Sequence, residues 1–443
     1  MKGDPPKGKC SKNMKNCRRW RRRAANVSGE FKAKKGWLET HLWHAKRCKM
    51  IEYWGFKVAA HLNEKCLKST YRASTKGVLL HDFSYWQPFW MDCNLSKLKE
   101  VYGQDQILDA VFEHENIQIC PIKIFTETFE KPLLLLHPAA IQTGILEHES
   151  LKAFLTVFSA TLTSASDFMC TFKLHGPKAE AVLSQFLNIS EIKSFPSKFA
   201  ISDPRTLEKE SQIISCNFDE QFLNPSIIKT DNDLNNEKSE LFLSSKLTNS
   251  NEKVFVAVTR KNSEFYVSCP RKWARIVWYH LIKIKPIKVA GIEQIDVIAF
   301  ENEIPIFPRD FVSSPAYEIW SESEKSRLET IHNRKPPAKR PSFSKIDIES
   351  PFKPLFNLFS ALCKVVLEIE GKGIITDFAE IYTPERILIG YATTTTKSSL
   401  KKGCSSAIGS ISNEYYSDSL STVLVRNFCS PEVFRTAKIK QIK

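Results

Sequence analysis

The sequence lacks the long apolar segments and the active-site motifs by which many proteins are recognised. Its best apolar run, 132–136, is far shorter than the roughly 18 residues that a membrane helix needs. The N-terminus, MKGDPPKGKC, has no apolar core, so we predict no secretory signal. No G-x-S-x-G, H-E-x-x-H, P-loop or strand-following G-x-G-x-x-G is present. We therefore expect no membrane partner, no catalytic residue, no metal site and no cofactor of the chain's own.

Cysteine pairs are also missing. Twelve cysteines are spread singly between Cys10 and Cys429, and none forms a C-x-x-C pair. This density is far below that of disulfide scaffolds and indicates reduced thiols in a cytosolic or nuclear protein. The hydrophobic share of 42% and the charged share of 26% exclude a fully disordered or collagen-like chain. A chain of 443 residues suffices for two or three domains, or for one large domain with attachments.

Positive charge is concentrated at one end of the chain. Residues 1–72, here called the basic segment, contain 20 Lys and Arg against 5 Asp and Glu. The other 371 residues contain 44 charges of each sign, so the whole excess of +15 lies in the basic segment. A basic segment joined to a neutral body is typical of a protein that binds a polyanion.

Aromatic residues interleave with these charges, which suits a folded RNA. Arginine forks contact phosphates, and indole rings stack on unpaired bases. The run Arg18–Arg23 is equally consistent with a nuclear localisation signal, and the tryptophans with core packing. The predicted RNA-binding residues are Arg18, Arg19, Trp20, Arg21, Arg22, Arg23, Lys34, Lys35, Trp43, His44, Lys46, Arg47, Trp54 and Arg72.

The stretch Trp37–Trp54 is predicted to form one helix, because its apolar and aromatic residues recur at helical spacing. We expect one face to pack on the protein body and the next face to meet RNA. The two faces are Trp37, His41 and His44 on the first, and Trp43 and Arg47 on the second.

Two other sites are possible from residue types alone. Zinc accepts the ligand types of His41, His44, Cys48 and Cys66, although structural zinc sites use tighter pairs. A metal-dependent nuclease site would need Glu39 and the His81-Asp82 pair to converge. We consider both sites less well supported than the alternative, in which one helix face packs on a core and a histidine or two lie near phosphate.

The elements predicted farther along divide the chain into four parts. Strands are predicted at 117–125, 168–174, 295–300, 365–369, 387–391, 407–411 and 422–426, a hairpin at 254–268, and helices at 95–114, 178–187 and 273–284. The predicted domains are a basic, Trp-rich segment at 1–92, an α/β body at 93–322 with a surface insertion at 202–252, a Pro- and charge-rich linker at 323–354, and a β-rich barrel at 355–443.

Several motifs, taken together, resemble one known family. The most specific is the run Trp37-Leu-Glu-Thr-His-Leu-Trp-His-Ala-Lys-Arg47. Weaker matches stand in order along the chain, the first two before this run and the others after it: 21–26, 30–31, 71–73, 78–85, 174–177, 270–291, 305–310, 389–394, 399–403, 407–409 and 423–427. The chain resembles the family of the largest protein subunit of eukaryotic ribonuclease P and ribonuclease MRP.

The resemblance implies an α+β protein with a specific role. The basic, partly extended RNA-binding segment would join a body resembling the folate-binding glycine-cleavage T-protein fold, with a small C-terminal β-barrel. The protein would be a non-catalytic scaffold that binds ribonuclease P RNA, MRP RNA or both, together with other protein subunits and, indirectly, precursor tRNA. The RNA subunit would bind Mg²⁺ and cleave, supporting tRNA 5′-leader removal and rRNA processing in the nucleus and nucleolus.

The sequence departs from the family in its central segment. Lys272, Pro286 and Ala290 stand where the family tends to have glycine, and Lys288 where an arginine is usual. The alternative implied by the fold is a folate-dependent aminomethyl or methyl transferase. We disfavour it because a transferase has no use for fifteen surplus charges at one end.

Overall fold

The structure is a computed structural model, and it describes only part of the chain. The described residues are 35–64, 67–102, 107–114, 117–126, 128, 131–192, 195–202, 211–213, 253–334, 336, 362–416, 420–427, 430 and 432–442. They fall into two compact units that interleave in sequence. Unit 1 comprises the described residues of 1–90, 125–133 and 163–293, and unit 2 those of 91–124, 134–162 and 294–443.

The described residues contain nine α-helices, and none is long and apolar enough to cross a membrane. In chain order they are α1 (His41–Arg47), α2 (Leu67–Lys76), α3 (Leu95–Tyr102), α4 (Pro138–Gln142), α5 (Glu149–Val157), α6 (Ala179–Leu187), α7 (Ala274–Leu281), α8 (Ile292–Glu301) and α9 (Pro315–Arg334).

Twenty strands lie in the same residues. They are β1 (Cys48–Tyr53), β2 (Phe56–Leu62), β3 (Val78–Asp82), β4 (Gln87–Asp92), β5 (Ile107–His114), β6 (Ile117–Phe125), β7 (Leu133–Leu136), β8 (Thr161–Ser164), β9 (Met169–His175), β10 (Ser197–Ser202), β11 (Ser211–Ile213), β12 (Lys253–Lys261), β13 (Glu264–Pro270), β14 (Ile287–Val289), β15 (Leu362–Ile369), β16 (Glu380–Tyr382), β17 (Leu388–Thr396), β18 (Ser406–Ser412), β19 (Thr422–Arg426) and β20 (Phe434–Gln441).

A seven-stranded sheet organises unit 1, in the order β11-β10-β12-β13-β9-β3-β14. Its pairs are antiparallel except β14, which runs parallel to β3. In β12, Val254, Val256 and Val258 belong to one apolar core, at the two-residue spacing of side chains that share one face of a strand. Helices α6 and α7 cover the same core with Leu183 and Trp278.

Unit 2 contains a closed six-stranded barrel in the order β15-β18-β17-β16-β19-β20. Alternate residues of its strands, such as Val365, Leu367 and Ile369 of β15, fill the interior. Closure leaves no unpaired strand edge. The barrel that the late alternating segments predicted is therefore confirmed, with β16 and β20 as strands that the sequence patterns missed.

A separate five-stranded sheet has the order β5-β6-β7-β4-β8.

Most of the predicted surface insertion at 202–252 lies outside the described residues. Its described residues include the edge strand β11, which pairs antiparallel with β10. The hairpin predicted at 254–268 is confirmed as β12 and β13. The predicted strands at 117–125 and 168–174 and the helix at 178–187 correspond to β6, β9 and α6.

The prediction of one helix over Trp37–Trp54 is wrong. The helix ends at Arg47, and β1 and β2 follow as an antiparallel hairpin. The turn residues Trp54 and Gly55 have φ of 48° and 82°, the two positive values of a type I′ turn, whose twist suits paired strands. The residues after Arg47 fit both a helical and a strand period, and pairing with β2 decides between them.

Three other secondary-structure predictions are also corrected. The helix predicted over 95–114 stops at Tyr102, and Ile107–His114 forms β5. The strand predicted at 295–300 lies within α8, because a short apolar run does not by itself distinguish a strand from a buried helix. Residues 323–334 of the predicted linker belong to α9, since this charged stretch has no proline and is rich in good helix formers.

Candidate nucleic-acid interface

The motif run places helix α1 against the core of unit 1. The Trp43 ring meets the buried Trp278 ring edge to face, with centroids 5.6 Å apart. The His44 ring lies 4.9 Å from the same indole, and its Nδ1 is 3.2 Å from the Thr40 carbonyl oxygen. Only 8% of Trp43 and 4% of His44 is exposed, which argues against direct RNA contact by these two predicted residues.

The residues just before α1 are held by buried polar contacts. The Glu39 carboxylate accepts a hydrogen bond from Nε of Arg271 at 2.8 Å, and its backbone carbonyl accepts one from Nε of Arg275 at 2.9 Å. The Thr40 hydroxyl donates to the buried carboxylate of Asp82, which also accepts from the backbone N–H of Ser84 at 3.0 Å. These contacts hold the start of α1 against strand β3 of the sheet and against α7.

Burial also sets the protonation of the histidines beside α1. It lowers the pKa of His44 to about 4, despite a hydrogen bond to the Thr40 carbonyl. It lowers the pKa of His81 to about 4 as well, and it raises the pKa of the adjoining Asp82 carboxyl. Both imidazoles are therefore neutral at pH 7, and neither supplies positive charge to an RNA.

A small pocket at this place has room for about one water molecule. Its lining includes Thr40, His41, His44, Lys57, His81 and Asp82. Within the described ranges, no three His, Cys, Asp or Glu side chains are grouped as a metal site requires. Cys66, one of the residues considered for zinc, lies outside those ranges. The carboxylates considered for a nuclease, Glu39 and Asp82, have the structural partners given above.

The C-terminal end of α1 carries exposed positive charge. Arg47 lies in the last turn, where its guanidinium stacks 4.7 Å from the Trp43 ring centroid and donates to the Trp43 carbonyl at 3.3 Å. The buried Trp43 ring thus helps to hold the Arg47 guanidinium in position. Arg47 is exposed and Lys46 is half-buried. At this end of the hairpin, Asn63 donates its N–H to the Arg47 carbonyl at 3.0 Å.

The hairpin separates two groups of predicted contacts. At the turn end, exposed Lys35 and half-buried Trp54 lie close together, since a Cβ on Gly36 would be 2.2 Å from the carbonyl oxygen of Gly55. The six-residue β1 separates this end from Arg47, a span of roughly 20 Å at the usual rise per residue. One RNA segment would therefore have to follow the hairpin to reach both ends.

The third group lies on α2. Arg72 is exposed there, while Thr70 and Ser74 face inward. Lys68 and Lys76 are exposed at the i−4 and i+4 positions and were not predicted as contacts. Their four-residue spacing is the signal that would have found them. The predicted contacts Arg18, Arg19, Trp20, Arg21, Arg22, Arg23 and Lys34 lie outside the described residues and stay predictions.

Structure comparison first gives the fold to which the chain is similar. The chain is similar to the glycine cleavage system aminomethyltransferase T of Bartonella henselae, with a TM-score of 0.57 and 12% sequence identity. The match covers 91% of this chain and 97% of that one. The predicted T-protein-like fold with a C-terminal barrel is confirmed. At this identity the likeness concerns the fold alone.

Sequence comparison then shows which family models the chain matches. Residues 5–94 match the family model described as ribonucleases P/MRP protein subunit POP1, N-terminal, and residues 264–356 match the POPLD (NUC188) domain. The chain carries both domains, and the resemblance to the largest protein subunit of ribonuclease P and MRP is confirmed.

Individual relatives agree with these domains. The chain is 25% identical to the ribonucleases P/MRP protein subunit pop1 of Schizosaccharomyces pombe, over 74% of this chain and 57% of the relative. It is 26% identical to POP1 of Saccharomyces cerevisiae, over 72% and 47%, and 46% identical to human POP1 over 11% and 5%. The chain thus spans about half the length of the two fungal relatives.

Proposed function

We propose that this chain is an RNA-binding scaffold subunit of ribonuclease P, ribonuclease MRP or both. The supporting observation is the pair of matched domains, in a chain whose positive excess lies in the first of them. The fold likeness to an aminomethyltransferase favours no transferase role, because it rests on 12% identity.

In this role, catalysis belongs to the RNA. The RNA subunit binds Mg²⁺ and cleaves the phosphodiester bond, in tRNA 5′-leader removal and rRNA processing, while the protein neutralises phosphates and braces the RNA fold. Its partners are ribonuclease P RNA, MRP RNA or both, other protein subunits of these particles and, indirectly, precursor tRNA. The expected location is the nucleus and nucleolus.

The proposal is tested by identifying the bound RNA. Tagged chain is recovered from cells after crosslinking, and the attached RNA is sequenced. Strong enrichment of ribonuclease P or MRP RNA over a tag-only control is expected. RNA recovered at its cellular abundance, without enrichment, contradicts the proposal.

A second test uses purified components. If about 6–10 phosphates are neutralised, affinity for ribonuclease P RNA should fall roughly 10³–10⁵-fold between 50 and 200 mM salt, by analogy with duplex DNA. Replacing the five arginines of 18–23 with glutamine should flatten this dependence. Substitution is preferable to deleting 1–72, because that deletion would also remove the buried Trp43. An unchanged slope contradicts a role for the arginine run.

The same preparation tests for catalysis and for the transferase alternative. Precursor tRNA should be cleaved only when the cognate RNA subunit and Mg²⁺ are present. Titration with tetrahydrofolate should give no saturable binding. RNA-free cleavage that a single carboxylate substitution abolishes, or tight folate binding, would each contradict the scaffold role.

A further inference from the structure

Three strand ends converge at one edge of the seven-stranded sheet in unit 1. Strands β3 and β14 are parallel and begin together, with Val78 opposite Ile287. Strand β9 is antiparallel to β3 and ends at the same edge, with His175 opposite Leu79. A lysine lies within three residues of each of these strand ends. These residues, here called the sheet-edge lysines, are Lys76, Lys178 and Lys285.

The backbones that carry these lysines are in close contact around Gly77. The N–H of Lys178 donates to the Gly77 carbonyl at 3.3 Å. A Cβ on Gly176 would lie 2.5 Å from the same carbonyl oxygen, and a Cβ on Gly77 would lie 3.7 Å from the carbonyl oxygen of Pro286. The three lysine side chains extend from this small area of backbone, and all three are exposed to solvent. Their clustering is therefore a product of sheet topology.

Helix α2 extends this positive surface. Its exposed face carries Lys68, Arg72 and Lys76, here called the α2 stripe, at successive four-residue intervals. Eight residues of helix span about 12 Å, a length over which a nucleic-acid strand presents several phosphates. Lys288 of β14 joins the stripe, because its ammonium group donates to the hydroxyl of Ser69.

Carboxylates are absent from two of the three segments that build the surface, and Glu180, beside Lys178 in the third, pairs with Arg260. Residues 65–81 contain four Lys and Arg and no Asp or Glu, and residues 271–292 contain six and none. Among the described residues, Lys68, Arg72, Lys76, Lys178 and Lys285 form no ion pair. Unpaired like charges repel one another, so a polyanion that covers them gains both attraction and relief of that repulsion.

We propose that the α2 stripe and the sheet-edge lysines form a phosphate-binding surface for an RNA strand. The inference rests on the proposed function and adds a surface that joins the two matched domains. Lys68, Arg72 and Lys76 belong to the N-terminal match, and Lys285 to the second match. RNA lying on this surface contacts both domains at once.

The chemistry favours RNA over an acidic protein. Protein–protein interfaces have a core depleted of charge and enriched in aromatic and other apolar groups. Nucleic-acid interfaces are much more positive. Along α2 the only exposed large apolar side chain is Leu67, at the end of the stripe.

The test compares charge-removal variants of the full chain. The stripe variant is Lys68→Gln/Arg72→Gln/Lys76→Gln, and the edge variant is Lys178→Gln/Lys285→Gln. The matched control is Lys372→Gln/Lys397→Gln/Lys401→Gln, which removes three exposed charges from the barrel unit. Thermal melts establish that each variant folds. Filter binding to ribonuclease P RNA at several salt concentrations then gives the slope of log K against log salt.

Each phosphate contact contributes roughly one to that slope. We expect the magnitude of the slope to fall by about three in the stripe variant and by about two in the edge variant. The control should keep a slope close to that of wild type. Equal slopes for the stripe variant and the control would overturn the surface. A stripe variant that binds RNA normally and loses a co-purifying acidic protein would overturn the choice of RNA. If wild-type chain binds ribonuclease P RNA no better than an unrelated RNA of equal length, the proposed function fails, while the slope comparison still tests the surface.

Discussion

Helix α1 lies in the basic segment and helix α2 crosses its end, yet the two helices differ in what they expose in unit 1. Helix α1 contains the most specific motif run, and it is packed through Trp43 and His44 onto Trp278. Helix α2 lies in a weaker part of the resemblance, and its charged residues remain in solvent. The difference arises because indole and neutral imidazole rings gain from burial, whereas ammonium and guanidinium groups stay outside unless they are paired.

The comparison teaches that a family-specific motif is not by itself a map of the residues that contact a ligand. In α1, one turn of helix holds a core anchor and a solvent-exposed cation in direct contact, since Arg47 stacks on Trp43. The motif therefore anchors α1 to the core and also presents a cation to solvent. Separating the two roles needs variants that remove one role at a time.

Removing the core anchor should give the largest effect. Trp43→Ala deletes a side chain that is 8% exposed, and we expect a loss of roughly 3–5 kcal/mol in the free energy of unfolding. Trp37→Ala is the matched control, because Trp37 is half-buried and stacks on His41 with ring centroids 4.0 Å apart. Denaturant unfolding of the RNA-free chain measures both. Similar losses in the two variants would show that α1 is not anchored mainly through Trp43.

Removing the exposed cation should weaken RNA binding without a comparable loss of stability. Arg47→Ala should reduce binding by about 1.5–3 kcal/mol, the scale of hydrogen bonds to charged groups. Its stability should fall by no more than about 1 kcal/mol, the scale of an exposed cation–π contact. Arg47→Lys should recover part of the binding, because an ammonium cannot fork onto two oxygens. Filter binding and thermal melts decide, and a variant that melts early but binds normally contradicts the assignment.

His44, the more deeply buried of the two histidines in α1, should make stability depend on pH, unlike the cations of α2. The folded pKa of His44 is about 4, below its ordinary value of 6.5. The unfolded chain therefore binds more protons between these values, so His44's contribution is complete above pH 6.5 and declines as pH falls toward 4. The expected loss at pH 5 is about 2 kcal/mol. Unfolding of wild type and His44→Gln across pH 7 to 4.5 tests this, and identical pH slopes would contradict it.

The elements that could be predicted from sequence were those with a clear local period and clear boundaries. The β12–β13 hairpin has an apolar run rich in strand-forming residues on each side of a short polar turn, and α6 follows a Gly-Pro start. The four strands predicted near the C-terminus were recognisable for the same reason. The stretch after Arg47 was not, because its residues fit two periods and only pairing with β2 distinguishes them.

The candidate site divides in the same way. The sequence by itself determined that positive charge is concentrated in residues 1–72 and that the rest of the chain is neutral, because net charge is a sum over residues and needs no fold. It also carried the motif run that relates the chain to its family. Neither fact says which cations meet solvent.

Only the tertiary structure decided where the charge is displayed. Lys76, Lys178 and Lys285 all belong to the neutral part of the chain, yet the parallel pairing of β14 with β3 and the antiparallel pairing of β9 bring them together. Trp43 and His44 belong to the basic segment, yet packing on Trp278 removes them from solvent. Strand register and burial involve residues more than a hundred positions apart, and no local pattern encodes those distances.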